Sequence, residues 1–146
     1  MNPVLAANQA FFQAIIEKRV ADICNSYVPS EHTYVILEGP RYTTLGYEQI
    51  AKGWADFCHS PLSLRAIEWI EGPFCETEGN MAWIGGIILL TVQVQERNFT
   101  VKFRATFVMR QNQQGQWQIK HEHVSAPMAD PYGIGDWLKK QPSSAL

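Results

Sequence analysis

The stretch that decides the fold is residues 115–127, Gly-Gln-Trp-Gln-Ile-Lys-His-Glu-His-Val-Ser-Ala-Pro, near the end of a chain of 146 residues. Its alternate positions are Trp117, Ile119, His121, His123 and Ser125. Successive side chains of a β-strand point to opposite faces, so these five would share one face. The pattern predicts a terminal strand whose apolar part joins the core and whose polar end opens into a pocket.

The preceding apolar run predicts the strand that pairs with it. In residues 99–110 the odd positions are apolar: Phe99, Val101, Phe103, Ala105, Phe107 and Met109. The even positions are mostly polar, as expected for an antiparallel sheet covered on one side. Matching the two apolar faces predicts His121, His123 and Ser125 on the covered face, and Arg104 paired with Glu122 on the other. A one-residue register shift, or a bulge at Gly115, would reverse these faces.

Residues 81–95 are apolar on both faces, which is typical of a central strand. Trp83, Ile87 and Leu89 alternate with a second apolar set at Ile84, Ile88, Leu90, Val92 and Val94. A few helices can cover only one face of the sheet. We therefore predict that a second subunit covers the other, giving a homodimer through the sheet.

The first half of the chain predicts helices around one short strand. Helical spacing covers residues 3–27, with a break near Arg19 or Asp22, and returns in residues 45–57. Residues 32–38 predict a strand between them, and residues 62–70 another strand that a turn at Glu71-Gly72-Pro73 ends. The order predicts one α+β domain over residues 1–146, with a core at about 4–127 and an extension at 128–146.

Composition excludes several functional classes. Hydrophobic residues make up 46% and charged residues 18%, as in a globular protein, and a net charge of -2 offers no basic surface for nucleic acid. No signal peptide is evident, and the longest apolar run, residues 81–92, is too short to cross a bilayer. Cys24, Cys58 and Cys75 lack metal-ligand spacing. We expect a cytoplasmic protein with reduced thiols, no membrane contact and no cofactor.

Two helical segments, a short strand, a third helix and four long strands that end in Trp-x-Ile-x-His-x-His-x-Ser resemble the nuclear transport factor 2-like superfamily. Residues 104–108 and 115–127 carry the resemblance, which is greatest to the SnoaL-like branch, with ketosteroid isomerase and the calmodulin-dependent kinase II association domain among its relatives. It implies a cone-shaped fold with about three N-terminal helices packed in a curved antiparallel sheet, an open pocket and a dimer. Phe11 and Phe12 occupy the region in which ketosteroid isomerase would have its tyrosine, and Phe107 aligns with a pocket arginine of the kinase domain.

The candidate catalytic residues are His121, His123 and Tyr34. Histidine titrates near neutral pH and could carry a proton, while a tyrosine hydroxyl could donate to a carbonyl or enolate oxygen. Two alternatives remain open for the histidines. They could share a metal ion with a third ligand from Glu38, His32 or His59, although no metal site is predicted from so short a motif, or they could be purely structural.

The candidate ligand-binding residues are mostly aromatic: Trp54, Trp83, Phe103, Phe107 and Ser125. Aromatic side chains can line a pocket for an apolar or aromatic small molecule, although such residues more often pack in a core. Together with the resemblance, they predict a small-molecule-binding protein, with isomerase, cyclase or dehydratase activity by proton transfer as the enzymatic hypothesis. The alternative is a non-catalytic dimerisation or ligand-sensing module.

Overall fold

The fold consists of three helices followed by long strands. The structure is a computed structural model that describes residues 2–138. Its elements are α1 (Pro3–Ile16), α2 (Val20–Asn25), β1 (Tyr34–Ile36), β2 (Thr44–Leu45), α3 (Tyr47–His59), β3 (Leu62–Glu78), β4 (Met81–Val94), β5 (Arg97–Gln111) and β6 (Trp117–Ser125). The predicted α+β class is confirmed. The predicted extension reaches past residue 138, and its last part lies outside the described residues.

The six strands form one sheet in the order β2-β1-β6-β5-β4-β3. The pairs β3–β4, β4–β5 and β5–β6 are antiparallel, while β1 runs parallel to β6 and places Ile36 beside His123. The helices cover one face, which we call the inner face. The other is the outer face.

Helix α1 begins at a local cap and buries one side on the sheet. The Asn2 side chain accepts hydrogen bonds from the amides of Val4 and Leu5, and Pro3 occupies the first turn, where its missing N–H costs nothing. Phe11 and Phe12 are buried, and both contact the ring of Phe107 on β5. This aromatic packing joins α1 to β5.

Two predictions about β3 and β4 have different outcomes. β4 is central, as predicted, and its inner side chains Ile84, Ile88, Leu90 and Val92 are buried. The predicted turn at Glu71-Gly72-Pro73 is wrong, because β3 continues to Glu78. The register with β4 shifts around Glu71, so the strand absorbs these residues as irregularities of the ladder instead of ending there.

Candidate functional site

A bulge in β6 decides which side chains reach the inner face. Ile119 pairs with Met109, but the next pair joins His121 to Val108, which leaves Lys120 as an extra residue. One extra residue exchanges the faces of every side chain that follows it. Trp117 and Ile119 are therefore buried as predicted, and beyond the bulge Glu122 and Val124 take the inner positions.

The predicted face of His121, His123 and Ser125 is consequently wrong. His121 pairs with Val108 and His123 with Thr106, both on the outer face, and His123 is exposed. A one-residue shift was the condition under which these faces would reverse, and it occurs at Lys120 and not at Gly115. The predicted Arg104–Glu122 pair is wrong for the same reason, because Arg104 instead donates to the hydroxyl of Ser125.

Tyr27 is held against the bulge by backbone hydrogen bonds on both of its sides. The amide of Ile119 donates to the carbonyl of Ser26 at 2.7 Å, and the amide of Val28 donates to the carbonyl of Ile119 at 2.9 Å. This short bridge follows the end of α2 and directs the Tyr27 side chain into the core, where it is fully buried. The chain thus places a phenol next to the first inner side chain after the bulge.

Three side chains form a buried hydrogen-bonded chain. The indole Nε1 of Trp54 donates to the hydroxyl oxygen of Tyr27 at 2.9 Å, and that hydroxyl donates to Oε1 of Glu122 at 2.5 Å. Trp54 lies on α3 and is held edge-on by the rings of Phe11 and Phe57. The three groups come from α3, from the segment after α2 and from β6, so the folded core alone brings them together.

Glu122 is a neutral acid at neutral pH. Burial raises the pKa of Glu122 to about 8, the hydrogen bond from Tyr27 lowers it, and the nearby carboxyl of Glu38 raises it again. Desolvation is the dominant cause, because an isolated carboxylate is costly in an apolar core. Burial and the Glu122 charge likewise raise the pKa of Tyr27 well above its usual value. Both groups therefore keep their protons.

The acidic proton of Glu122 is directed away from Tyr27. Oε1 already accepts the Tyr27 hydrogen, so the proton of the neutral acid belongs on Oε2. Among the described residues no fully buried side-chain oxygen or nitrogen lacks a hydrogen-bond partner, and no described residue hydrogen-bonds Oε2. The proton on Oε2 is therefore not engaged by any described side chain.

A cavity of about 350 Å³ opens between α3 and the start of the sheet. Its apolar wall consists of Val35, Leu37, Ile50, Trp54, Phe57 and Leu62, and its polar rim includes Glu38, Arg41, Thr43, Thr44 and Gln49. This volume is within the roughly 300–1,000 Å³ typical of small-molecule sites. Trp54 belongs to both the cavity and the hydrogen-bonded chain. Its side chain lines the cavity, and its Nε1 is the first donor of the chain.

Glu38 supplies a carboxyl at the rim of this cavity. It follows β1 as an exposed residue on the rim, where partial burial of its carboxyl raises its pKa while a bond from its own backbone amide lowers it. The burial penalty on Glu38 is smaller than on fully buried Glu122, so Glu38 ionises first as the pH rises. An ionisable carboxyl therefore lies on the cavity rim, and a neutral one lies near it in the core.

The predicted catalytic residues lie together, but on the outer face. Tyr34 stacks on His121 with the ring centroids 5.6 Å apart, and Nδ1 of His121 lies 2.7 Å from the Tyr34 carbonyl oxygen. Tyr34 is 36% exposed. No observation tests a catalytic role for His121, His123 or Tyr34, which stays a prediction.

Of the predicted ligand-binding residues, Trp54 alone is among the described residues that line the cavity. Phe107 is buried in the aromatic core, and Phe103 is half-buried against that core. Trp83 is exposed on the outer face, and Ser125 accepts a hydrogen bond from Arg104 there. Their roles in binding likewise remain predictions.

Sequence reasoning missed Glu122, Tyr27 and the cavity role of Glu38. A carboxylate within a strand is most simply assigned to the solvent face, and alternation alone gave Glu122 that assignment. The sequence around Lys120 has no glycine or proline to mark a bulge. Tyr27 stood at the end of the predicted first helix, where its partner across 95 residues was not evident.

Within residues 2–138 no group of three or more His, Cys, Asp or Glu side chains is placed to hold a metal ion. No helix in that range is long and apolar enough to cross a membrane.

The SnoaL-like domain family matches residues 4–129, nearly the whole of the region that forms the fold described above. The chain belongs to this family. No curated protein shows significant similarity to the chain. The suspected resemblance is therefore confirmed at the level of the family.

Solved structures similar to this SnoaL-like protein share its fold at low sequence identity. A nuclear transport factor 2-like superfamily protein from Salmonella enterica serovar Typhimurium is 20% identical, with a TM-score of 0.75 over 90% of this chain and 93% of its own. A ketosteroid isomerase-like protein from Erwinia carotovora is 14% identical, with a TM-score of 0.71 over 86% and 95%.

A third relative is a putative calcium/calmodulin-dependent protein kinase II association domain from Xanthomonas campestris. It is 18% identical, with a TM-score of 0.67 over 85% of each chain. The predicted nuclear transport factor 2-like architecture is therefore confirmed. Likenesses at these identities show the fold alone.

Proposed function

We propose that the protein binds a small, mainly apolar molecule that carries a carbonyl oxygen, and that it moves a proton on a carbon next to that carbonyl. The observation that carries the proposal is the buried Trp54–Tyr27–Glu122 chain at the cavity. It holds a neutral carboxylic acid, oriented by Tyr27, behind the cavity wall that Trp54 forms, and close enough to Glu38 on the rim for the two carboxyls to interact.

Glu122 has the properties of a hydrogen-bond donor to a developing negative oxygen. An enolate oxygen gains charge as the proton leaves the neighbouring carbon, and a fixed donor in a water-poor site stabilises that charge. Because the pKa of Glu122 is about 8, the acid is mostly protonated at neutral pH. The side chains of Tyr27 and Trp54 are fixed, because they are hydrogen-bonded to each other and both pack against the buried ring of Phe11.

Glu38 is the base that this proposal requires. Its carboxyl lies on the rim of the same cavity and ionises more readily than Glu122. The proton would pass from the ligand carbon to Glu38 and return to a second carbon or leave with a departing group, as isomerisation, cyclisation or dehydration demands. Glu122, which stays neutral, is thus the hydrogen-bond donor, and Glu38, which ionises, is the base, because their surroundings differ.

The test is hydrogen exchange on simple ketones. Small cyclic ketones and enones are incubated with the protein in D2O, and loss of the α-hydrogen signal is followed by NMR. We expect the wild type to catalyse exchange and Glu38→Gln to abolish it. Glu122→Gln should slow exchange without abolishing it, because the amide can still donate a hydrogen bond. Absence of exchange across the panel, with ligand binding retained, would favour the ligand-sensing alternative.

Gly53 offers a matched pair of variants that blocks the cavity. It lies in α3 and lines the cavity, and an added Cβ at this position would meet no atom within 4 Å. Gly53→Leu should fill the space and remove binding without loss of stability. Gly53→Ala, which adds only one methyl group, should retain it. Equal binding by both variants would place the ligand elsewhere.

A second copy of the chain is the partner proposed for the outer face. Trp83 and Phe74 are 41% and 55% exposed there, and Ile87 and Leu89 lie beside them half-buried. A contiguous apolar patch on a sheet face is typical of an interaction surface. Sedimentation velocity at several protein concentrations would measure the dimer, and a monomer throughout would contradict it.

A further inference from the structure

The charges of the outer face lie in two stripes on either side of an apolar one. Antiparallel register assigns the side chains, because directly paired residues share a face. Glu68, Glu71, Glu76 and Glu78 of β3 pair with Leu89, Ile87, Trp83 and Met81 of β4. The same β4 residues pair on their other side with Lys102, Arg104, Val108 and Arg110 of β5. We call the four β3 glutamates the acidic stripe, the four β4 residues the apolar stripe and the four β5 residues the basic stripe.

Three rows across the sheet therefore have the order acid, apolar residue, base. The rows are Glu68–Leu89–Lys102, Glu71–Ile87–Arg104 and Glu78–Met81–Arg110. In the fourth row, Val108 and then His121 follow Trp83, so its basic position is taken by a histidine one strand further on. The acidic stripe ends before Arg65, whose guanidinium donates to Gln93.

The stripe charges do not neutralise one another within one copy. Acid and base of a row lie two strand spacings apart, roughly 10 Å, which is beyond contact. The ion pairs among residues 2–138 involve Arg19, His32 and Lys52 and none of the stripe residues. The charged side chains of both stripes are exposed, so they can meet the charges of a partner.

Two copies that pack face to face are related by a two-fold axis in the plane between them. Rotation about an axis parallel to β4 exchanges left and right, so the acidic stripe of each copy faces the basic stripe of the other. Rotation about an axis perpendicular to β4 keeps left and right, so acid faces acid and base faces base. Only the first arrangement avoids like charges opposite each other.

We propose that the outer face pairs with a second copy about a two-fold axis that runs along β4, with each glutamate of the acidic stripe opposite the basic residue of its own row. The inference rests on the proposed homodimer and adds its geometry. The apolar stripe supplies the affinity, whereas the flanking charges select one orientation and exclude the other.

Charge reversal of one stripe at a time tests the pairing. One double variant, Glu68→Lys/Glu71→Lys, reverses the acids of two rows. The other, Lys102→Glu/Arg104→Glu, reverses the bases of the same two rows. Each variant alone should dimerise about tenfold more weakly or worse than the wild type at low salt, because like charges then meet at four places in the interface. An equimolar mixture should recover a dimer that contains one copy of each.

The control reverses exposed acids on the helical side. Glu31→Lys/Glu48→Lys makes the same change of net charge outside the stripes and should dimerise as the wild type does. High salt should bring the stripe variants towards the wild type, since it screens exposed charges. Stripe variants that dimerise as tightly as the wild type would overturn the proposal.

Cross-linking separates the two axes. Glu71→Cys and Arg104→Cys proteins, one carrying a mass tag, are mixed and treated with a short thiol cross-linker. An axis along β4 predicts mainly the mixed product, whereas a perpendicular axis predicts Glu71→Cys linked to itself. Self-linked product would overturn the orientation and leave the dimer standing. A wild type that stays monomeric would instead overturn the dimer and its geometry together.

Discussion

The hydroxyl of Tyr27 lies 2.5 Å from Oε1 of Glu122, in a part of the core where both residues are almost completely buried. Neither group is near its partner in sequence, and each makes the burial of the other less costly. A buried carboxyl that is hydrogen-bonded and neutral is tolerated, whereas the same carboxyl when ionised is expensive. The stability of the protein should therefore report the protonation of Glu122.

The first prediction concerns Glu122→Gln. The pKa of Glu122 is about 8 in the folded protein and near 4.5 when unfolded. Between these values the folded state holds one more proton, so the free energy of unfolding falls with rising pH by about 1.4 kcal/mol per unit. Below pH 4.5 this contribution is fully present.

Glutamine cannot ionise, so the free energy of unfolding of Glu122→Gln should not fall with rising pH in this way. Urea unfolding at pH 5, 6.5 and 8 should show that the free energy of unfolding of the variant rises relative to that of the wild type at each step. Glu48→Gln, on the exposed side of α3, is the control and should run parallel to the wild type. A constant difference between wild type and Glu122→Gln would show that Glu122 is not a neutral buried acid.

The second prediction concerns Tyr27→Phe. The hydrogen bond from Tyr27 lowers the pKa of Glu122, so its removal should raise that pKa further. It also leaves Oε1 of Glu122 and Nε1 of Trp54 without their partner, which should cost about 2–4 kcal/mol of folding stability. NMR titration of the Glu122 carboxyl carbon would measure the shift, and a pKa that moves towards 4.5 would contradict the hydrogen-bonded chain.

The third prediction separates the histidines from the cavity. His121→Ala removes one hydrogen bond and one ring contact on the outer face, and His123→Ala removes an exposed ring. Each should cost about 1 kcal/mol or less and leave ketone exchange unchanged. Trp54→Leu, which removes both a cavity wall and the donor to Tyr27, should lose exchange. Lost exchange in either histidine variant would restore the catalytic role that the sequence predicted.

The fourth prediction concerns the close approach of β3 to β4. A Cβ added at Gly86 would overlap the carbonyl oxygen of Glu71, which is backbone and cannot rotate away. Gly86→Ala should therefore destabilise the fold by about 3 kcal/mol. Gly53→Ala is the matched control in open space and should gain up to about 1 kcal/mol from helix propensity. Equal melting temperatures would show that the ladder can adjust.

The fold was predictable because it depends on many residues that agree. Alternation over residues 99–110, the doubly apolar run of β4 and the helical spacing of α1 and α3 each tolerate errors of a residue or two. The site depends on single placements. Reversal of faces at Lys120 and the bridge from Tyr27 to Ile119 involve contacts between distant segments, which no local pattern encodes.

The bulge at Lys120 also affects how sites can be transferred among relatives. A homologue that lacks this one residue would carry, at the aligned position of Glu122, a side chain on the outer face, and its neighbour would enter the core instead. An alignment that places no gap in β6 would then equate a buried acid with a surface residue. One insertion in this strand is enough to change which chemical group the family fold offers to a ligand.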